Sequence, residues 1–364
     1  MIDFDHAATT RMSPDALAAY TKVATAFYQN SESLHHAGNV AGQLVQEAQT
    51  TIARKLQVQA EGLIFTSGGT EANQLGIQAL AEAASGHTIL VSPLEHSSVY
   101  EILERLQRVA GFKVNVLPVD DQGQIQPATL EQALTPDVGL VVIQAVNGIT
   151  GITQPLKQLN AVAQAAKVPL FVDAVQAMGK VEVAWGEFAG WSASAHKFNG
   201  PKSCGFLYLS PSVPVAPRFH NVFQQNGFLP GTMDVPGIVS AEAAFEAAIS
   251  DLHQAHYQAL RQAVLTQLAP SIKPVVPDAG FAGILGLVLP HTQGQEAATA
   301  MGQAGICFST VSACSIRDPR SDRTLMALQL SEDAAKRFIR LSFGPENTVA
   351  EVAAVVEQLN ARYA

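Results

Sequence analysis

Two residues at the ends of strand-like runs, an aspartate and a lysine, carry the chemistry to which this sequence points. The run PLFVDAVQ places Asp173 at the end of a buried apolar segment, and SASAHKFNGPK, a strand of small residues, ends in His196 and Lys197. Pyridoxal phosphate needs such a pair. Its aldehyde requires an amine for an imine, and its ring nitrogen requires an anion to stay protonated so that the ring can act as an electron sink. Lys197 is then the Schiff-base lysine and Asp173 the pyridinium partner. Lys202 is the competing amine. Lys197 is preferred because Ser194 and His196 flank it as phosphate donors, whereas Lys202 follows Gly200-Pro201 in a turn sequence.

Three further stretches bear on the same chemistry. FTSGGTEANQ (65–74) runs from a strand through Gly68 and Gly69 into a helix beginning near Thr70. Free backbone N–H groups at such a helix start, with the helix dipole behind them, suit a phosphate, although strand-Gly-helix turns are also common structural junctions. LEHSSV (94–99) puts His96 just beyond another strand, where an imidazole can lie on a pyridine ring and move protons, or can simply cap a helix. VSACS (311–315) sets Cys314 among small polar residues, ahead of a stretch carrying Arg317, Arg320 and Arg323 that would favour its thiolate. Cys204 and Cys307, within CGFLYL and GICFS, read instead as small buried hydrophobes.

The elements that must position these residues alternate. Apolar runs at 63–65, 87–92, 112–117, 139–143 and 168–172 are separated by helical periodicity, the pattern of a parallel sheet covered on both faces. Ligands on such sheets bind beyond the carboxyl ends of the strands, which gives the motifs a common address. An alanine-rich helical connector spans about 238–268. Beyond it come a strand at 283–290, a helix near 295–303, a strand at 337–343 and a helix from about Thr348 with Val349, Val352, Val356 and Leu359 on one stripe. The expected fold is α/β: a large domain at 12–245, and a smaller α+β domain formed by 1–11 and 246–364 that carries a cysteine loop at about 309–330.

Composition narrows the function classes. Of 364 residues, 48% are hydrophobic and 15% charged, and the net charge is -9 with no basic run, which argues against disorder and against nucleic acid or anionic membranes as partners. No apolar run approaches the ~18 residues of a membrane span, and MIDFDHAATT does not read as an export signal. Three cysteines without a CxxC pair disfavour a disulfide framework and a metal site. The expected location is the cytoplasm, where thiols stay reduced.

Taken together, the motifs resemble those of the cysteine desulfurases of the class V aminotransferase group, within the fold type I enzymes that use pyridoxal phosphate. The resemblance runs nearly end to end through DHAATT (5–10), Asn30, Ser33 and His35, FTSGGTEAN, LEH, VDAVQ, SAHK, GPK, PGT (230–232), SAC and FIRLSFG (338–344). The long step from Cys314 to Arg340 resembles the subgroup with a long cysteine loop. The resemblance implies a sheet of the seven-stranded type and the cofactor pyridoxal 5'-phosphate. It implies Lys197 on the aldehyde carbon, Asp173 on the ring nitrogen, Gln176 on the ring hydroxyl, and His96 stacked on the ring. Gly69, Thr70, Ser194 and His196 would hold the phosphate, with Thr232 donated by the second subunit of a homodimer. Arg340, with Asn147 and Asn30, would take the substrate L-cysteine, and Cys314 would accept its sulfur as a persulfide for an acceptor protein. A selenocysteine lyase, an aminotransferase, or a weakly active partner in sulfur transfer are the alternatives. Three departures stand out: Gly148 in VNGITG where the family has asparagine, FQQNGFLPGT with two basic residues fewer, and Val311 in place of glycine.

Overall fold

The computed structural model describes residues 1–276, 278, 280–311 and 323–364, so Cys314, Arg317, Arg320 and the middle of the expected cysteine loop lie outside the described residues. In chain order the strands are β1 (Ile2–Asp3), β2 (Leu63–Thr66), β3 (Thr88–Val91), β4 (Lys113–Val116), β5 (Val138–Gln144), β6 (Leu170–Asp173), β7 (Gly190–Ser194), β8 (Gly205–Leu209), β9 (Lys273–Pro274), β10 (Ile284–Val288), β11 (Ile306–Cys307) and β12 (Phe338–Ser342). The α-helices are α1 (Pro14–Ala26), α2 (His36–Leu56), α3 (Gly69–Ala83), α4 (Ser97–Ala110), α5 (Pro127–Ala133), α6 (Leu156–Ala165), α7 (Val235–Ser250), α8 (Gln254–Gln267), α9 (Gly294–Gln303), α10 (Arg323–Ala327), α11 (Glu332–Lys336) and α12 (Val349–Tyr363).

Seven strands form the central sheet in the order β2-β8-β7-β6-β5-β3-β4. All neighbours are parallel except β8, which runs antiparallel to both β2 and β7. The parallel strands are apolar throughout because helices cover both faces, and two apolar clusters fill the layers on either side. β4 departs from the expectation of a continuous apolar strand. It is the sheet edge, and Lys113 and Asn115 leave it polar and mostly exposed, which blunts pairing with another chain.

Register brings the chemistry to one row. Gln144 at the end of β5 lies opposite Asp173 at the end of β6, and Asp173 lies opposite Ser192 of β7. The turn before α3, the start of α4 and the 147–152 turn follow the carboxyl ends of β2, β3 and β5. The chain therefore returns to one address several times.

Helices α7 and α8 lead to a three-stranded antiparallel sheet, β12-β10-β9. The beginning of the chain is bound to this part: β1 pairs in parallel with β11, Ser342 N donates to Phe4 O at 2.7 Å, and Ala7 N donates to Ser342 Oγ at 2.9 Å. Residues 5–10 then continue as a strap over the end of β7, where Thr10 N and Thr10 Oγ1 both donate to His196 O.

The last helix begins with a reciprocal cap. Thr348 Oγ1 accepts from Glu351 N, and the Glu351 carboxylate accepts from Thr348 N. Its buried stripe is Val352, Val355, Val356 and Leu359, while Val349 faces solvent. The stripe read from the sequence started one turn too early, because the cap turns the first helical residue outward. Leu359→Ala should lower unfolding stability by about 2–5 kcal/mol and Val349→Ala by no more than about 0.5 kcal/mol. Urea unfolding followed by circular dichroism checks the contrast.

Candidate active site

Asp173 is 1% exposed and sits at the centre of the site. Its Oδ2 accepts from Asn73 Nδ2 at 2.9 Å, and its Oδ1 accepts from Val175 N at 3.0 Å. Among the described residues it makes no ion pair. Asn73, on α3, is held by Ser192 Oγ, which donates to Asn73 Oδ1 at 2.6 Å. The second Asn73 N–H reaches Ser98 Oγ at 3.0 Å, and Ser98 Oγ lies 2.9 Å from His96 Nδ1. One chain of polar contacts thus joins His96 to Asp173. His96 also caps α4, its Nδ1 accepting from Ser98 N, so the cap and the site position belong to the same side chain.

Beside this network Glu95 is buried, with Oε1 accepting from Gln144 N at 2.5 Å. Burial first, and then the neighbouring Asp173 carboxylate, push the Glu95 carboxyl well above the ordinary carboxylate range. The protonated form of Glu95 is favoured, and the negative charge of the pair concentrates on Asp173.

Lys197 follows β7 in a single 3-10 turn, residues 195–197. Its Nζ donates to Ala7 O at 2.7 Å and Ala8 O at 2.8 Å, so the strap over the strand end is what holds the amine. Lys202 lies exposed in the following turn. Gln176, in the run of turns after β6, is buried and donates from Nε2 to the same Ala7 O at 2.8 Å.

A phosphate-sized anion has a clear receptor nearby. The α3 N-terminus, Gly69 and Thr70, has no side-chain cap, and Gly68 has φ of +143°, a conformation open in practice only to glycine. Ser194 Oγ is on the same side, 3.5 Å from where a Cβ on Gly68 would stand. His196 Nδ1 is 3.1 Å from Thr9 Oγ1. Burial, followed by the charges of Lys197, Lys180 and Lys202, lowers the His196 imidazole to about 4. It is neutral at pH 7 and can donate one N–H while the other nitrogen accepts.

Arg340, on β12, is 4% exposed. Its Nη2 donates to Asp5 Oδ1 at 2.8 Å and its Nη1 to Gly148 O at 2.9 Å, while its buried Nε–H has no hydrogen-bond partner among the described residues. Asn147 behaves differently from expectation. Its Nδ2 donates to Leu94 O and Gln144 Oε1, and its Oδ1 accepts from Ile149 N, Thr150 N and Thr150 Oγ1. The side chain is spent on shaping the 147–152 turn that offers Gly148 O to Arg340, and it has no donor left over. Gly148 is needed for space: a Cβ there would come within 3.2 Å of Gln176 Nε2.

Other expected residues are not gathered here within one protomer. Asn30 is exposed and accepts from Glu32 N. Thr232 is exposed, and its hydroxyl makes no hydrogen bond among the described residues. The segment before it, which lacks the family's basic residues, is tied down by amides instead. Gln225 bonds both the N–H and the C=O of Phe65, and Gln224 brackets Gly231. Arg323 lies over the Tyr100 ring at 4.1 Å and pairs with Glu104 at 3.2 Å. Cys204 is buried and its thiol is pushed up to about 12 by burial and then Asp234. Cys307 is half-buried on β11.

The sequence matches the family Aminotransferase class-V over residues 2–355. The chain belongs to this family. Among its class V relatives, a cysteine desulfurase of Cereibacter sphaeroides is 34% identical, with 98% of this chain and 94% of the relative aligned. A solved NifS-like protein superposes with a TM-score of 0.91 at 30% identity, covering 99% of this chain and 98% of that one. A structure described as SspA in complex with cysteine gives 0.84 at 25% identity, covering 96% and 100%. The fold is therefore that of the fold type I enzymes, as the motif set implied. Asn73, Ser98, Ser192 and Glu95 were not singled out in the sequence, although all four lie inside the quoted stretches FTSGGTEANQ, LEHSSV and SASAHKFNGPK. Strand-end spacing alone does not reveal that they meet.

The depressed His196 has a defined consequence for stability. The unfolded chain takes up this proton near pH 6.5 and the folded chain only near pH 4, so lowering the pH through that window favours unfolding. His196→Gln should flatten the fall in melting temperature between pH 6.5 and 4 in the cofactor-free protein, measured by calorimetry.

Proposed function

We propose that this chain is a pyridoxal phosphate-dependent cysteine desulfurase, converting L-cysteine to L-alanine and passing the sulfur through Cys314 to an acceptor protein. The observation that carries the reading is the pairing of a strap-held Lys197 amine with Asp173, a buried carboxylate that has amide donors but, among the described residues, no ion pair. Such a carboxylate suits a pyridinium N–H. The uncapped α3 start with Ser194 and neutral His196 suits a phosphate, and the relatives named cysteine desulfurase support the substrate.

Bound pyridoxal phosphate would supply a carbon that takes up the substrate amine and a ring that stabilises negative charge at Cα. Asp173 would hold the ring nitrogen, Gln176 the ring hydroxyl, and Gly69, Thr70, Ser194 and His196 the phosphate. Lys197 Nζ would hold the cofactor carbon and, as a free amine, would take the substrate Cα proton. His96 would cover the ring and receive the thiol proton, its Nδ1 already oriented by Ser98. Arg340 would bind the carboxylate, its unpartnered Nε–H being a donor in reserve. The Cys314 thiolate attacks the substrate sulfur, so that the substrate C–S bond breaks, an S–S bond forms on the enzyme, and alanine leaves after protonation.

The same reading makes the molecule a homodimer. Tyr28, Leu34 and Phe223 are 73%, 95% and 97% exposed in the protomer and are available to a second copy, and Thr232 would complete the partner's phosphate site. We also place the division between a large domain at 12–245 and a small one at 1–11 and 246–364. The pairing of β1 with β11 supports grouping the first residues with the second part.

Purified protein should absorb near ~410–430 nm, and Lys197→Ala should abolish the band. Cys314→Ser should lose at least about a hundredfold in persulfide-dependent sulfide release from L-cysteine while keeping that band. A Cys314→Ser protein as active as wild type would assign the chain to a lyase instead. Light scattering should give twice the protomer mass.

A further inference from the structure

Lys180 is a half-buried amine that the chemistry above does not use. It stands four residues beyond Gln176, on the wall of a cavity of about 660 Å³ that reaches Lys197 and His6. Its Nζ donates to Gln176 Oε1 at 2.9 Å. At the other end of the same amide, Gln176 Nε2 donates to Ala7 O at 2.8 Å, the oxygen that also accepts from Lys197 Nζ.

A glutamine amide can usually turn over, because its oxygen and nitrogen are similar in shape and most neighbours can both give and accept. Here it cannot. An ammonium that only donates sits at one end, and a carbonyl that only accepts sits at the other, so the turned orientation loses both bonds. Gly148 adds no side chain that might lean on the amide from the remaining side. The NH2 group is thereby kept toward Lys197.

This matters for what that NH2 group meets. In pyridoxal phosphate the 3-hydroxyl is on the ring carbon next to the one bearing the aldehyde, so the oxygen nearest the lysine-linked carbon needs a donor rather than an acceptor when it is anionic. We propose that Lys180 is a positioning residue that locks the Gln176 amide with its NH2 toward Lys197, so that Gln176 donates to the 3-hydroxyl oxygen of pyridoxal phosphate. The inference rests on the cofactor reading above. Burial, and then Lys197 and Arg340, lower the Lys180 amine to about 7. The ammonium form has no lone pair and enforces the orientation, whereas a neutral amine also accepts, so the lock is strongest below neutrality.

The test compares the affinity of the full-length, cofactor-free protein for pyridoxal phosphate and for its 3-deoxy analogue, by fluorescence titration. Wild type should prefer the natural cofactor by about tenfold. Lys180→Met should cut the preference below about threefold, Lys180→Arg should retain it, and Lys180→Met added to Gln176→Leu should change nothing further. General effects of lost charge or packing act on both probes and cancel in the ratio. If Lys180→Met does not fold, Lys180→Gln replaces it: an amide that both donates and accepts lets Gln176 turn, and the preference should fall at least about threefold. A wild-type preference in Lys180→Met, or in Lys180→Gln where Lys180→Met does not fold, overturns the role of Lys180 while leaving the cofactor reading standing. Failure of wild type to bind pyridoxal phosphate with a visible band that depends on Lys197 overturns both.

Discussion

A carboxylate buried in the middle of a sheet, without a cation, is the constraint around which this structure is built. Burying an unpaired charge is costly unless hydrogen bonds or a ligand's opposite charge replace water. Asn73, Val175 N–H and, one step behind, Ser192 supply part of that replacement. The protonated form of Glu95 adds no second charge. In the proposed reading a pyridinium ring would supply the balance. The network that holds Asp173 also reaches His96, so the two side chains are set by the same few contacts.

The surrounding electrostatics have the opposite sign. Lys180, Lys197 and Arg340 lie close enough to influence one another, and His196 feels the two lysines. Asp5 is the acid that meets this group directly, through Arg340. In the proposed reading a phosphate and a substrate carboxylate would bring negative charge to this dense cluster of cations. In the cofactor-free protein its tension is visible as lowered affinities for protons at Lys180 and His196.

Much of this could be read in the sequence, for one physical reason: the informative residues stand at strand ends, where an apolar run meets a polar residue, and that transition is visible in one dimension. Asp173, Ser194, His196 and Lys197 were found in this way, as was the glycine turn before α3. What was missed depends on three-dimensional meeting. Asn73 reads as an unremarkable helix residue and Ser192 as filler in a strand, until register sets them beside Asp173. Asn147 looked like a substrate donor because residue type says nothing about how many of its bonds a turn consumes. Val349 fell on the wrong side because the periodicity of α12 carries no mark of where the cap turns the chain.

The strap of residues 5–10 gives the fold a temporal order. Ala7 and Ala8 hold the amine of Lys197, yet they are themselves held by Ser342 and by the salt bridge from Arg340 to Asp5, on the opposite end of the sequence. Contacts between such distant segments form late, since the chain between them must first be closed into place. During synthesis the central sheet, with the strap's partners Gln176, His196 and Lys197, can be complete on the ribosome before Ser342 and Arg340 exist. The strap that carries Ala7 and Ala8 is thus fastened on both sides only once β12 has been made.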